Sequence, residues 1–405
     1  MELSRPIRNE RSGATAPDHN SEARSRNDAF SFWQLAQQWR HVLEPSIGES
    51  ETIANWYLLE KYVDDRERQP LGLHAYYRVK NLIPRWLRHR VNSIAVRSRP
   101  RREFPRWPCE SALVEFWRDW LRHALEKLEL SDGWHIGFWP SGKACCIVLT
   151  HDVESRLGIE RMEAMADLEE KYGFRSAWNV PLAQYEVDWR RIERMRARGF
   201  EFGAHGLCHD GKLFRTRADF DGLAPELQRL ARKHGLRGFR SPSTLRRAEW
   251  IETMDFDFDA SFADTDPYEP QPGGSCSLFP FHLGNMIELP YTLPQDHTLI
   301  NLLRHDALPV WTLKADWISS LGGMILTLTH PDYSGTQPYL GAYERLLERL
   351  NAIGASWRAL PSEVAAWWRR RSQMRLSVSS SGPVISGPDT TGAKAQRLAD
   401  HPLVK

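Results

Sequence analysis

Between residues 144 and 371, short apolar runs alternate with longer stretches whose apolar residues recur at helical spacing. The first run, residues 144–150, is rich in β-branched residues and too short for a helix, so it predicts a buried strand. Further strands are predicted near 174–180, 200–205, 236–241, 258–262, 287–292, 323–329 and 356–360. Repeated strand–helix units over this length predict an α/β fold with a parallel sheet, and the length fits a barrel.

The segments that flank this pattern have a different composition. Residues 29–140 are predicted to form a helical extension before the main domain, which we place at residues 141–373. Residues 1–28 are poor in hydrophobic residues, residues 374–405 are rich in Ser, Gly and Thr, and both are predicted to be disordered tails.

A strongly basic segment, residues 76–107, lies within the helical extension and carries an amphipathic pattern. Two interpretations are open for it. The segment is either a helix docked on the main domain with a solvated basic face, or a peripheral contact with an anionic membrane surface.

Composition limits the binding partners and the cellular location that we expect for this protein. The formal net charge is +2, so there is no global drive toward nucleic acid. No apolar stretch is long enough to span a bilayer, and the first residues do not resemble a signal peptide. The five cysteines are odd in number, which favours reduced thiols. These features predict a cytoplasmic protein, with the inner membrane face as a second location.

Chemically active side chains follow the predicted strands at the ends where active sites of such folds collect. Asp152 and Glu154 follow the first strand, and two residues apart in an extended chain they share a face. Two such carboxylates are costly unless a positive group lies between them, so they indicate either a metal ion or a proton relay. The alternative is a loop with two solvated acids.

Histidines follow two other strands. His205 and His209 are four residues apart, and on a helical turn they would be close enough to bind one metal ion. With Glu154 they would supply three protein ligands and leave one position open for water, which is typical of catalytic metal sites. Arg240 lies at the end of the predicted fourth strand and could hold a buried Asp, and His330 follows the late strand as a candidate general acid.

Taken together, Asp152/Glu154, His205-x-x-x-His209, Arg240-x-Pro242 and His330 resemble the motifs of the NodB-homology polysaccharide deacetylases, carbohydrate esterase family four. The resemblance covers residues 143–371. It implies a distorted (β/α) barrel and the removal of acetyl groups from glycans with a divalent metal, usually zinc. It also implies the following roles: Asp152 as catalytic base, His205 and His209 as metal ligands, Arg240 as the residue that positions the base, and His330 as general acid.

The chain departs from this family at two positions. Val153 replaces the second of two adjacent Asp residues, so the resemblance makes Glu154 the expected third ligand. Ser243 replaces an aromatic residue, and Asp259 is the expected acid of the following strand. The predicted substrate is an N-acetylated glycan, either soluble or lipid-linked. The alternatives are a degenerate relative that binds glycan without hydrolysing it and a hydrolase of small amides on the same barrel.

Overall fold

The computed structural model describes residues 51–64, 93, 94, 96, 103–127 and 133–403. The predicted N-terminal tail, residues 1–28, and most of the basic segment 76–107 lie outside the described residues. Among the residues that are described, no helix combines the length and apolar character needed to cross a membrane.

The main domain alternates strands and helices in the order that the sequence predicts. The strands are β1 (Trp134–Ile136), β2 (Cys145–Asp152), β3 (Ser176–Val180), β4 (Glu201–Ala204), β5 (Gly238–Phe239), β6 (Phe258–Asp259), β7 (Phe281–Leu283), β8 (Met286–Glu288), β9 (Met324–Thr329), β10 (Ser356–Arg358), β11 (Arg375–Ser379), β12 (Gly382–Ser386) and β13 (Ala395–Arg397). The α-helices from residue 112 onward are α1 (Ala112–Lys127), α2 (Arg156–Lys171), α3 (Trp189–Ala197), α4 (Arg217–Lys233), α5 (Ala248–Ile251), α6 (Ala307–Ser320), α7 (Pro331–Ser334), α8 (Tyr339–Asn351) and α9 (Pro361–Ser372).

Nine of these strands form one sheet. Its order is β10-β2-β3-β4-β5-β6-β8-β7, and β9 also pairs with β2. All pairings in this sheet are parallel except the antiparallel pair β7–β8. Strands β2 and β9 are buried along their whole length, as expected of strands covered on both faces.

The sheet curls until its two sides meet. The segment that follows β8 hydrogen-bonds in both directions: the Tyr291 N–H donates to the Phe262 carbonyl (2.9 Å), and the Thr292 N–H donates to the Leu326 carbonyl (3.1 Å). This segment therefore links the β6 side of the sheet to β9. The prediction of a distorted (β/α) barrel is confirmed, and the distortion comes from two-residue strands such as β5 and from closure by an irregular segment.

The C-terminal segment corrects one prediction. Residues 374–405 were expected to be a disordered tail, but β11 and β12 form an antiparallel hairpin and β13 pairs with β1. Leu398 and Leu403 are 1% and 0% exposed. A few apolar side chains buried against the domain are enough to order this polar segment, and its average composition does not reveal them.

The described part of the N-terminal extension packs on the segments that follow β5 and β6. Residues 51–58 are helical, and Glu60, which follows them, is buried. Its carboxylate pairs with the buried guanidinium of Arg246, with an Nε–Oε2 distance of 2.7 Å. The Tyr62 hydroxyl donates to the Gly274 carbonyl at 2.5 Å. These contacts connect the extension to loops on the carboxyl side of the sheet.

Candidate metal centre and active site

The predicted site residues meet at one mouth of the barrel. Asp152 ends β2, His205 directly follows β4, Arg240 directly follows β5 and His330 directly follows β9. Because the carboxyl ends of parallel strands share one edge, these side chains converge although they are far apart in the chain. Glu154 and His209 lie in the turns that follow β2 and β4, and they belong to the same group of side chains.

Glu154, His205 and His209 form a candidate metal centre. One potential ligand atom from each residue lies within 4.8 Å of the other two. His209 Nε2 is 2.9 Å from Glu154 Oε1. The side chains of His209 and Glu154 are 16% and 24% exposed, whereas that of His205 is 1% exposed. The three side chains therefore form a concave set that opens toward solvent.

The protonation of His205 suits a metal ligand. Its Nδ1 lies 3.0 Å from the Arg240 carbonyl, and a carbonyl can only accept, so Nδ1 carries the proton. Nε2 then carries a free lone pair, and this buried atom has no hydrogen-bond partner among the residues that the structure describes. Burial lowers the pKa of His205 to about 4, against the opposing effect of Asp152, so the ring is neutral near pH 7. Two imidazoles and a carboxylate fit a divalent cation such as zinc.

Gly206 allows the histidine turn to approach the turn after β5. Its φ is +70°, in the left-handed region that favours glycine. A Cβ atom at this position would lie 2.8 Å from Cγ of Pro242. The ring centroids of His205 and His209 are 5.6 Å apart. A glycine between the two histidines is therefore required for this close packing.

Asp152 is held as a buried carboxylate beside the metal centre. Asn179 Nδ2 donates to its Oδ1 at 2.9 Å, and Arg240 Nη1 lies 3.7 Å from the same oxygen. His205 Nδ1 lies 3.9 Å from Oδ2. Burial alone would raise the pKa of Asp152, but His205, Arg240 and His330 outweigh it and the pKa lies below its usual value. The side chain is thus ionised and oriented.

His330 lies beside Glu154, with its Nε2 3.9 Å from Glu154 Oε1. Its Nδ1 is 2.7 Å from Asp296 Oδ1, and its backbone N–H donates to Asp296 Oδ2 at 2.8 Å. Burial would lower the pKa of His330, but Asp296 and, more weakly, Glu154 and Asp152 raise it to about 10. The imidazole is therefore a cation at neutral pH, with an N–H directed into the site.

The sequence did not point to Asp296 as the partner of His330. Asp259 was named only as the acid expected on the strand after Arg240. Asp259 lies within the barrel, where it accepts from the Ser261 hydroxyl (2.6 Å) and neighbours Glu288 in strand register. Asp296 precedes a π-helical turn, His297–Leu303, that has no clear periodic signal. Such turns are rare and frequently mark functional sites, but they are invisible to a 3.6-residue pattern.

Ser243 borders the metal centre where the family resemblance implies an aromatic residue. Its Oγ lies 3.5 Å from His209 Nε2, and its φ is +54°, a strained conformation for a residue other than glycine. The small side chain leaves His209 partly open to solvent. A sugar ring would therefore meet no aromatic wall at this position.

Comparisons with known proteins give similarity in structure but not in sequence. No family model matches the chain, and no curated protein matches it. A protein from Mycobacterium smegmatis described as a polysaccharide deacetylase has a TM-score of 0.48 and 17% identity, over 60% of this chain and 96% of its own. Puue allantoinase has a TM-score of 0.47 and 15% identity, over 57% and 92%.

A protein from Pseudomonas aeruginosa PAO1, also described as a polysaccharide deacetylase, has a TM-score of 0.45 and 15% identity, over 57% and 93%. The chain therefore resembles solved polysaccharide deacetylases and an allantoinase. At these identities and TM-scores the likeness assigns no activity and no residue role to this chain, so the roles proposed below rest on the geometry of its own residues.

Proposed function

We propose that this protein is a metal-dependent hydrolase that removes acetyl groups from an N-acetylated glycan. The observation that carries the proposal is the juxtaposition of three functions at one mouth of the barrel. A His–His–Glu ligand set lies within 3.9 Å of both an ionised, oriented carboxylate, Asp152, and a protonated imidazole, His330. Amide hydrolysis requires a base for water and an acid for the leaving nitrogen, and these two residues supply them.

We assign each residue of the site a role in this reaction. Glu154, His205 and His209 would hold the cation, which supplies Lewis-acid activation of a carbonyl and lowers the pKa of water. Asp152 accepts a proton from the attacking water, while Asn179 and Arg240 keep its carboxylate in place.

His330 supplies the proton that the leaving group needs. Its Nε2–H donates a proton to the departing nitrogen, which is a poor leaving group unless it is protonated. Asp296 holds the imidazole through Nδ1, so the proton that is transferred is the one on Nε2. Asp296 raises the pKa of His330 to about 10, which favours the protonated imidazole that this role requires.

The cation is proposed to be zinc, since two histidines and one carboxylate are a common catalytic zinc set. The substrate is proposed to be a soluble or lipid-linked glycan precursor in the cytoplasm. In this proposal the basic segment 76–107 provides peripheral contact with the inner membrane face.

The test combines metal quantification with acetate release over a panel of N-acetyl sugars. Purified full-length protein is expected to hold one divalent ion and to release acetate. Asp152→Asn, His205→Ala and treatment with a chelator should each abolish release. Exposed matched controls, Asp255→Asn and His123→Ala, should retain it. Unchanged turnover in both site variants and in the chelated protein would overturn the proposal.

Small cyclic amides belong in the same panel because Ser243 offers a sugar ring no aromatic wall. Turnover of these amides without acetate release would assign the site to small-amide hydrolysis. Glycan binding without any turnover would instead indicate a degenerate, binding relative.

A further inference from the structure

Glu154 is held by two residues outside the candidate ligand set. The first is Gln184, in the loop that follows β3. Its side-chain Nε2 donates to the Glu154 carbonyl at 2.6 Å, and its Oε1 accepts from the backbone N–H of His209 at 2.5 Å. A single amide therefore bridges the backbones of two candidate ligands that come from different strands.

The loop that carries Gln184 is itself fixed to the histidine turn. The Leu182 N–H donates to the Gly206 carbonyl at 3.0 Å, and the Ala183 N–H donates to the Leu207 carbonyl at 2.8 Å. Gln184 continues this line of contacts and connects it to Glu154. Its side chain is exposed, so it adds little to the apolar core, and its contribution lies in these two hydrogen bonds.

The second residue is Tyr333, in the short helix α7. Its hydroxyl donates to Glu154 Oε2 at 3.1 Å, while Oε1 of the same carboxylate lies 2.9 Å from His209 Nε2. The ring of Tyr333 lies 5.3 Å from that of His330. The two oxygens of Glu154 are thus distinguished: Oε2 is held by the hydroxyl, and Oε1 faces the histidines.

We propose that Gln184 and Tyr333 are positioning residues for the metal centre, Gln184 through the backbone of Glu154 and Tyr333 through its carboxylate. A glutamate has one more rotatable bond than an aspartate, and ordering it costs more conformational entropy. The two hydrogen bonds restrict the side chain before a cation binds and present one oxygen to it. Residues that orient metal ligands in this way commonly set metal affinity. This inference rests on the proposed function, because it concerns the same metal centre.

The test compares zinc affinity among full-length variants, measured by competition with a chelator of known affinity. Tyr333→Phe and the nearly isosteric Gln184→Met should each bind zinc about 10- to 100-fold more weakly than the wild type. Cobalt-substituted protein should show a changed visible spectrum, because the coordination geometry relaxes. Tyr339→Phe, at an exposed position of α8, and Gln373→Met, at the exposed turn directly after α9, are the matched controls and should bind zinc as the wild type does.

Thermal unfolding of the metal-free variants separates positioning from a general loss of structure. Each midpoint should stay within about 4 °C of the wild type, the shift that 1 kcal/mol produces in a domain of this size. In a Glu154→Asp background, Tyr333→Phe should have no further effect, because the shorter side chain no longer reaches the hydroxyl.

Two results would overturn the inference, and they are distinguishable. If the wild type binds one zinc ion and both variants bind it equally well, the positioning roles fail while the proposed function stands. If the wild type binds no metal ion at all, the proposed function fails, and the positioning roles fail with it.

Discussion

Removal of the Asp296 charge should lower the pKa of His330. Asp296 contacts both Nδ1 and the backbone N–H of His330, at 2.7 and 2.8 Å, and it also accepts from the Ser334 hydroxyl at 2.5 Å. The side chains of His330 and Asp296 are 6% and 0% exposed, so solvent screens the pair weakly. Asp296→Asn keeps the shape of the side chain and removes its charge.

The expected fall in the pKa of His330 follows from how far its pKa is raised in the wild type. The pKa of His330 rises from 6.5 to about 10, which corresponds to roughly 5 kcal/mol at 1.36 kcal/mol per pKa unit. Glu154 and Asp152 contribute part of this rise. An opposite charge at contact typically accounts for about 1–3 units, so the pKa in the variant should fall to about 7–9. At pH 9 a pKa of about 8 would reduce the protonated fraction about tenfold relative to the wild type.

The sign of the linked stability effect is opposite to that of an ion-paired carboxylate. Because the folded-state pKa of His330 lies above its unfolded value, its protonation stabilises the fold fully below about pH 6.5. This stabilisation disappears as the pH rises through about 10. The free energies of unfolding of wild type and Asp296→Asn should therefore differ most at neutral pH and converge in alkaline solution.

The assay is an NMR titration of the histidine ring signals in metal-free protein, over about pH 5 to 11. The chain has 15 histidines, so a His330→Gln variant is needed to assign the signal. Asp255→Asn, which removes an exposed charge, should leave the titration unchanged. A wild-type pKa near 6.5 would refute the reasoning directly, even if Asp296→Asn folds poorly.

Two further variants test the packing around the site. Lys314→Met leaves the buried carboxylate of Asp264 without its partner at 2.8 Å and should cost about 3–5 kcal/mol in denaturant unfolding. The exposed counterpart Lys171→Met should cost far less, because solvent screens its ion pair, and equal costs would contradict the burial argument. Gly206→Ala places a Cβ atom against Pro242 at a φ of +70°. The variant should therefore bind zinc more weakly than the wild type in competition with a chelator. Wild-type affinity would show that the turns after β4 and β5 can separate without loss of the metal centre.

Much of the barrel could be predicted because its signals are local. The run that forms β2 is apolar and buried throughout, and β9 is similar, so short uninterrupted apolar runs were a sound indication of central strands. The C-terminal strands could not be predicted in the same way. Strand β11 is mostly exposed and β12 is at most half-buried, and Leu398 and Leu403 are isolated apolar residues in a polar stretch. Their burial depends on a surface that exists only after the barrel has formed.

The residues of the candidate site also differ in whether the sequence could identify them. Asp152, Glu154, His205, His209, Arg240 and His330 could be named from the sequence because each follows a predicted strand, and parallel strands bring their ends together. Asn179, Gln184, Asp296 and Tyr333 carried no such signal. Tyr333, for example, reaches Glu154 across a separation of 179 residues.

The sequence by itself determined the alternation of strands and helices and the chemical groups at the strand ends, because both depend on the order of neighbouring residues. The tertiary structure decided which nitrogen of His205 is free, why His330 is protonated and which residues orient Glu154. Protonation and ligand geometry depend on burial and on distances between side chains from separate strands. Those quantities are set only when the barrel closes.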